Sequence, residues 1–593
     1  MIRTPLRPLA RILQARDRGE NPDAIERENI RLRHEEMRDR ARRRAEGRLL
    51  VLGVLFVAGF ALVGGKMAVL AQSEPAEPRS GAAGAGILAQ RATITDRRGR
   101  VLATNFDTHA LYAQPPRMVA PARAAERLAA IFPDLDAERL REDFTGTRKF
   151  LWIRRTLSPE QKQAVHDIGE PGLLFGPREM RLYPNGRLAA HVLGGAGFGE
   201  EGVHAAEVVG TAGIESYLDA QLRDPARAQA PLRLSLDLSV QAAMEKVLAG
   251  GMAIMNAKGA AGILMKAETG EITAIASLPD FDPNDRPAPA TEGRQDDTPI
   301  FNRAVQGVYE LGSVFKTFTI AQALERGQVR PSTMIDTTSP MKWGRFTIRD
   351  FRNYGPELDV EEVLVKSSNV GTARIAVETG GARQRAFLGK LGLLEPVPVE
   401  ITEASGSQPL LPERWSELST MTISYGHGLA VSPLHLAAGY AAMVNGGRRV
   451  TPTLLHDADR APGERVISEA TSATMRDMLR KVVSEGTASL AEVSGYAVGG
   501  KTGTADKPGP RGGYAEDKVI ATFAGMFPAH DPEYVIVVTL DEPVETSGAE
   551  PRRTAGWTAV PVAAEIIRRA APLLGLRPEI EQSGAAAIRR TSN

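Results

Sequence analysis

The sequence contains no cysteine. That excludes disulfides, thiolate metal sites and a cysteine nucleophile. It does not assign a compartment, because an exported protein can lack disulfides. Net charge is nearly absent as well, with 73 basic against 72 acidic residues and a balance of +1. The chain as a whole therefore gives no electrostatic argument for nucleic acid. Lysine is missing from the first 48 residues, which carry fourteen arginines instead. What remains is ordinary for a globular protein, with 42% hydrophobic and 24% charged residues over a length of 593. That length exceeds a single core and suits about two to four domains.

The arginine-rich segment, residues 1–48, mixes acids among its bases, as in Arg38-Asp39-Arg40, and residues 24–46 read as a charged, solvated helix. Residues 49–65 follow as seventeen uncharged, mostly apolar positions. A helix of that length spans about 26 Å, and continuing to Leu70 makes it about 33 Å, enough for a hydrocarbon core of ~30 Å. Lys66 can snorkel toward the outer end. Arginine before the run and few bases after it predict a cytosolic N-terminus. The leader is too long for an ordinary signal peptide. Residues 49–70 are therefore expected to form one uncleaved transmembrane helix, and residues 71–88, rich in Pro, Glu, Gly and Ala, a stalk.

Residues 91–105 look like strand, turn and strand, with the turn at Asp96–Gly99. Up to residue 230, helical stretches (121–132, 159–168) alternate with short strands and glycine-rich turns. No catalytic constellation shows there, and His191 and His204 lack partners at ligand spacing. From about Leu232 the texture changes. A helix is expected at 235–249. Strand pairs are expected at 262–265 with 271–276, and at 519–527 with 534–540. Helices are expected after Ser313, over 360–379, over 433–445 and over 560–571. This order predicts a mixed α and β fold, an antiparallel sheet packed with helices, with a polar tail at 576–593.

Three motifs carry chemistry. The first is Ser313-Val314-Phe315-Lys316, just after Gly312. If Ser313 opens a helix, the i, i+3 spacing puts hydroxyl and amine on one face. An alcohol needs a base to become a nucleophile, and lysine is a base only when neutral. Its pKa of about 10.4 must fall by roughly three for work at pH 7, which is worth about 4–5 kcal/mol. Burial and a second cation are the usual means. An S-x-x-K match alone arises by chance in most long chains. The second motif, Ser367-Ser368-Asn369, supplies a hydroxyl and an amide. The third, Lys501-Thr502-Gly503-Thr504, offers the second cation, two hydroxyls and a glycine where a ligand backbone can approach. Residues 495–502 also match the phosphate-loop pattern G-x-x-x-x-G-K-[ST]. That loop must feed a helix, and Pro508, Pro510 and further glycines forbid one.

S-x-x-K, S-x-N and K-T-G in that order are the set found in penicillin-binding proteins and serine β-lactamases. The chain resembles a class B penicillin-binding protein over about residues 49–575. Residues 96–103 (Asp-Arg-Arg-Gly-Arg-Val-Leu-Ala), 181–186 and 210–215 also look like that family, as do 269–272 and 424–428. Residues 365–373, 424–433 and 523–543 look most like the division-specific transpeptidase, with the elongation-specific enzyme as the alternative. The resemblance implies an elongated α+β pedestal or dimerisation-like domain at 89–230 and a transpeptidase domain at 232–575.

It also implies the chemistry. Ser313 would attack the penultimate D-alanine of a peptidoglycan stem, with Lys316 as base and Ser367 as proton relay. Asn369 would hold Lys316 and a substrate amide. Lys501, Thr502 and Thr504 would bind the stem's carboxylate, and Gly503 would let the substrate lie along the strand edge. The N–H groups of Ser313 and Thr504 would form the oxyanion hole. No metal or cofactor is implied. Stem peptides, β-lactams, a membrane-embedded lipid-II glycosyltransferase and other division proteins are the implied partners, and nucleic acid is not one. The implied location is the inner membrane, with the catalytic domain outside the cytosol. A β-lactam-hydrolysing or sensing relative shares the motifs. Two positions depart from the family's pattern: Leu311 replaces a usual proline, and His427 stands where tyrosine is frequent.

Overall fold

A computed structural model describes residues 7–20, 22–72, 91–201, 206–227, 230–457, 460–461, 463–509 and 513–578. His204, the expected stalk beyond Gln72 and the tail beyond Pro578 lie outside these residues. The chain divides into two bodies, residues 1–78 and 79–593.

The first body is helical, with Arg7–Asp17 followed by one continuous helix, Pro22–Gln72. The charged and apolar stretches of the sequence are thus two halves of a single element. Its segment Glu46–Met67 has a mean hydropathy of 2.2 and is long and apolar enough to cross a membrane. Leu49, Phe56 and Leu62 on this segment are exposed. Apolar side chains displayed on all sides of a helix require a hydrocarbon surround, and the chain is a single-pass membrane protein.

The second body begins with a long strand, Val101–Ala113, paired antiparallel with Leu173–Leu182, Leu151–Arg154 and Ile94–Thr95. Helices Pro121–Ile131, Ala137–Thr145 and Pro159–His166 close a small core around Leu111, Leu128 and Phe144. The turn at Asp96–Gly99 forms as expected, with Gly99 at φ +81°. Asp96 accepts hydrogen bonds from the N–H groups of Arg98, Arg100 and Leu238. Arg100 reaches on to Asp237 and Ser239. The turn therefore clamps the start of helix Leu238–Ile254, whose N-cap is Asp237. That capping moves the helix three residues later than its expected start at 235.

The C-terminal sheet has five antiparallel strands in the order Gly499–Pro508, Tyr514–Phe527, Tyr534–Asp541, Gly259–Lys266 and Ile272–Leu278. Strands Tyr534–Asp541, Gly259–Lys266 and Ile272–Leu278 are buried along nearly all their length, so helices must cover both faces. Leu238–Ile254 and Ala559–Leu573 pack together on it, as do Pro433–Val444 and Glu469–Ser484. Pro433–Val444 is buried at every position. The amphipathic helix Glu469–Ser484 is an element that the motif reading did not anticipate.

Two expected helices change form. Ser313 lies in a 3-10 turn, Gly312–Phe315, and the α-helix starts at Lys316. The run 360–379 is two helices, Val360–Val365 and Asn369–Thr379. They break at Ser367, whose φ is +63°.

Candidate active site

The serine is held by close backbone packing. Gly312 adopts φ +62°, and a Cβ there would come within 2.5 Å of the Thr504 carbonyl oxygen. A Cβ on Gly503 would stand 2.1 Å from the Leu311 carbonyl oxygen, and one on Gly426 would stand 2.0 Å from that of Gly312. These three glycines let the Ser313 turn press against the Lys501 strand on one side and the turn after Ser424 on the other. Gly503 is thus required by the approach of Leu311, a contact the motif alone does not reveal. Leu311 is fully buried at φ −101°, a modest rotation from the value of about −65° that proline imposes.

Ser367 sits at a corner. A capping box between Asp359 and Glu362 starts helix Val360–Val365. Ser368 caps the next helix by accepting from the Gly371 N–H at 2.9 Å. Between them Ser367 takes a left-handed conformation, which is unfavourable for a non-glycine residue and persists only when its surroundings enforce it. Asp350 provides that enforcement. Its carboxylate accepts from Ser368 Oγ at 2.8 Å and from the N–H groups of Asn369 and Val370 at 2.5 and 3.0 Å. Asp350 escaped the sequence reading because it lies 18 residues before Ser368 and matches no motif.

The two motif lysines converge on this corner. Both are fully buried. Lys316 Nζ lies 3.0 Å from Ser367 Oγ and donates to the Ser367 carbonyl at 2.6 Å. Lys501 Nζ lies 3.1 Å from the same Oγ and 3.2 Å from the Thr502 carbonyl oxygen. Burial, and then the neighbouring Lys501 charge, push Lys316 well below the normal lysine range, with Asp350 opposing. Burial brings Lys501 down to about 7. Two ammonium groups sharing one hydroxyl are mutually repulsive in a low-dielectric site. The arrangement favours one proton fewer than two full charges, with Lys316 as the neutral partner.

The other predicted residues surround them. Thr502 Oγ1 is 2.9 Å from Thr487 Oγ1, and Thr504 Oγ1 accepts from the Ala555 N–H at 3.0 Å. Ser313, Ser367, Asn369, Thr502 and Thr504 line one cavity of about 790 Å³, together with Phe351, Arg352, Tyr354 and Trp557. A second cavity of about 750 Å³, lined by Ile131, Trp152 and Arg155, lies in the N-terminal core away from these motifs. One expectation is not met. The Asn369 Nδ2 donates to the Arg349 carbonyl at 2.9 Å, and Lys316 Nζ donates to Ser367 rather than to the Asn369 amide oxygen. The reason is geometric: Asn369 begins its helix on the Asp350 side of the corner. His427 is outside this cavity lining and packs between Tyr425 and Tyr514 at ring distances of 5.5 and 6.0 Å. Tyr514 in turn donates to Glu310 at 2.9 Å.

Two family models match this chain. The penicillin-binding protein transpeptidase domain covers residues 260–568, and the penicillin-binding protein dimerisation domain covers residues 86–227. The chain belongs to the class B penicillin-binding proteins. It is 35% identical over 567 residues to the probable peptidoglycan D,D-transpeptidase FtsI of Caulobacter vibrioides, covering 93% of both chains. With the probable peptidoglycan D,D-transpeptidase PenA of Neisseria meningitidis it shares 35% over 476 residues, 77% of this chain and 80% of that one. With the peptidoglycan D,D-transpeptidase FtsI of Escherichia coli the figure is 29% over 479 residues, 76% and 79%. Membership of a penicillin-binding family implies interaction with peptidoglycan and β-lactams.

Proposed function

We propose that this protein is the D,D-transpeptidase that closes peptide cross-links in septal peptidoglycan through an acyl-enzyme on Ser313. The observation that carries the reading is the convergence of Lys316 and Lys501 on the Ser367 hydroxyl at the floor of the Ser313 cavity.

Neutral Lys316 takes the Ser313 proton as Oγ attacks the carbonyl of the penultimate D-alanine. The tetrahedral oxyanion is held by the Ser313 and Thr504 N–H groups, each such donor being worth about 10²–10³ in rate. Ser367 Oγ passes a proton to the leaving amine, and terminal D-alanine departs. The amine of a second stem then attacks the ester, and the same relay runs in reverse. Lys501 keeps its proton when the substrate carboxylate arrives, because an opposite charge favours the charged form. Thr502 and Thr504 donate to that carboxylate. Asn369 contacts a substrate amide rather than Lys316.

The segment bounds proposed from the sequence accompany this reading. They are a cytosolic tail at 1–48, a transmembrane helix at 49–70, a linker at 71–88, a pedestal at 89–230 and the transpeptidase domain at 232–575, followed by the tail at 576–593. Arginines before the apolar run put the N-terminus in the cytosol and the catalytic domain outside the inner membrane. The pedestal and the membrane helix are the surfaces offered to a lipid-II glycosyltransferase and other division proteins.

Intact-mass measurement after incubation with benzylpenicillin tests the nucleophile. The wild type gains one lasting adduct and Ser313→Ala gains none. An adduct retained by the variant contradicts the assignment, and rapid turnover of the wild-type adduct indicates a β-lactamase. Fluorescent penicillin at midcell supports the septal role, and labelling along the side wall points to elongation.

A further inference from the structure

Beside the Ser313 cavity stands a short hairpin, Met341–Trp343 paired with Phe346–Ile348. Met341 and Ile348 point inward onto Val370, Ala373 and Met421, so the hairpin is anchored on the helix that follows Asn369. The outward side is cationic and aromatic. Lys342, Arg345, Arg349 and Arg352 are all exposed. Arg345 sits 5.2 Å from the Phe346 ring centre, and Arg352 sits 6.0 Å from that of Phe351. Phe351 is 82% exposed, an unusual display for a phenylalanine.

Among the described residues, no acidic side chain forms an ion pair with this bank. The Asp350 carboxylate is occupied by the capping bonds described above. Across the cavity, Glu361 and Glu362 are taken by Lys481 and Lys366. The bank is also continuous with the reactive centre, because Phe351, Arg352 and Tyr354 line the same cavity as Ser313. Fork-shaped guanidinium groups match carboxylates, and aromatic faces beside them stack on planar amides. A carboxylate-bearing peptide satisfies both.

We propose that the 341–352 bank is an accessory subsite that docks the carboxylate-bearing stem peptide of a peptidoglycan strand as it enters the Ser313 cavity. This rests on the transpeptidase reading above. Each exposed contact is weak alone, so the subsite acts by summing several of them along one strand. It sets affinity for strands and leaves the acylation chemistry to the buried lysines.

The test uses the full-length protein in detergent and two peptidoglycan probes, uncross-linked strands with free stem carboxylates and the same strands amidated at every stem carboxylate except that of the terminal D-alanine, with anionic lipid vesicles as a control. In the variant Lys342→Glu/Arg345→Glu, KM for cross-linking the carboxylate strands rises about tenfold. Its kcat and its rate of benzylpenicillin acylation stay within about twofold. For wild type, amidated strands already show the raised KM, and the variant does not raise it further. An unchanged KM with carboxylate strands overturns the proposal. So does an equal rise with amidated strands, which assigns the contact to glycan, or loss of binding to anionic lipid vesicles alone. If the double glutamate variant forms no penicillin adduct, Lys342→Ala/Arg345→Ala carries the same comparison. A wild type that takes penicillin yet cross-links no strands contradicts the function itself, and that result is distinct from an unaltered KM in an active variant.

Discussion

Two clusters of buried charge in the second body meet opposite fates. In the N-terminal part, Arg91 and Arg181 both bond Glu215 at 2.6 Å, and Arg91 bonds Asp219 at 2.6 Å. Arg91 and Glu215 are 1% and 0% exposed. Burial alone would raise the Asp219 pKa. Bonds from the Gly210 N–H, Arg91 and Arg223 outweigh it, and the carboxyl is held below its usual range. Opposite signs are paired in this cluster, and its effect is to fix geometry. In the cleft, two lysines of like sign share one hydroxyl, and burial pushes both pKa values down. Equal burial gives structure where signs alternate and proton chemistry where they repeat.

Variants in each cluster separate the two effects. The largest effect is expected for Lys316→Ala, which removes the proposed base. Acylation by benzylpenicillin falls by about 10³-fold or more, within the range for general-base removal, while the melting temperature holds. Glu215→Gln does the reverse. It leaves two buried guanidinium groups undercompensated and costs about 3–5 kcal/mol of stability, read by denaturant unfolding, while the folded fraction acylates at the wild-type rate. A wild-type melting curve for Glu215→Gln would break the contrast. Gly503→Ala lies between them. Its Cβ meets the Leu311 carbonyl, displaces the Ser313 turn and lowers acylation by about 10²-fold, because small misplacements of a nucleophile are costly. The smallest effect belongs to Leu311→Pro, which needs only a modest change in φ and alters the acylation rate by less than about threefold in stopped-flow measurements.

The motif residues were legible because their chemistry depends on residue type and order along the chain. Spacing singled out Ser313 and Lys316 as a pair, the order of the three motifs pointed to Ser367 and Lys501 through resemblance to the penicillin-binding family, and the hairpin signals around Gly270 and Pro528 place the sheet's strands. The transmembrane run was legible from its apolar length. What sequence did not show depends on contacts across long separations. Asp350 works by capping a helix 18 residues later, and Thr487 and Ala555 meet the Lys501 strand only after folding. The break at Ser367 hid inside a run with helical character, because its left-handed backbone is imposed from outside by Asp350 and the flanking caps. The Asn369 amide was misassigned for the same reason: motif order gave its neighbourhood but not its direction.

The central claim is that Lys316 works neutral while Lys501 works charged across the same serine. The pH dependence of Ser313 acylation by benzylpenicillin tests it most directly, measured in wild type and in Lys501→Arg. In wild type the rate falls at low pH as Lys316 gains its proton. It also falls on the alkaline side as Lys501 loses its own from about pH 7 upward. Arginine stays protonated beyond pH 12, so in Lys501→Arg the alkaline fall disappears and the acid limb remains. An alkaline fall unchanged in Lys501→Arg would contradict the account.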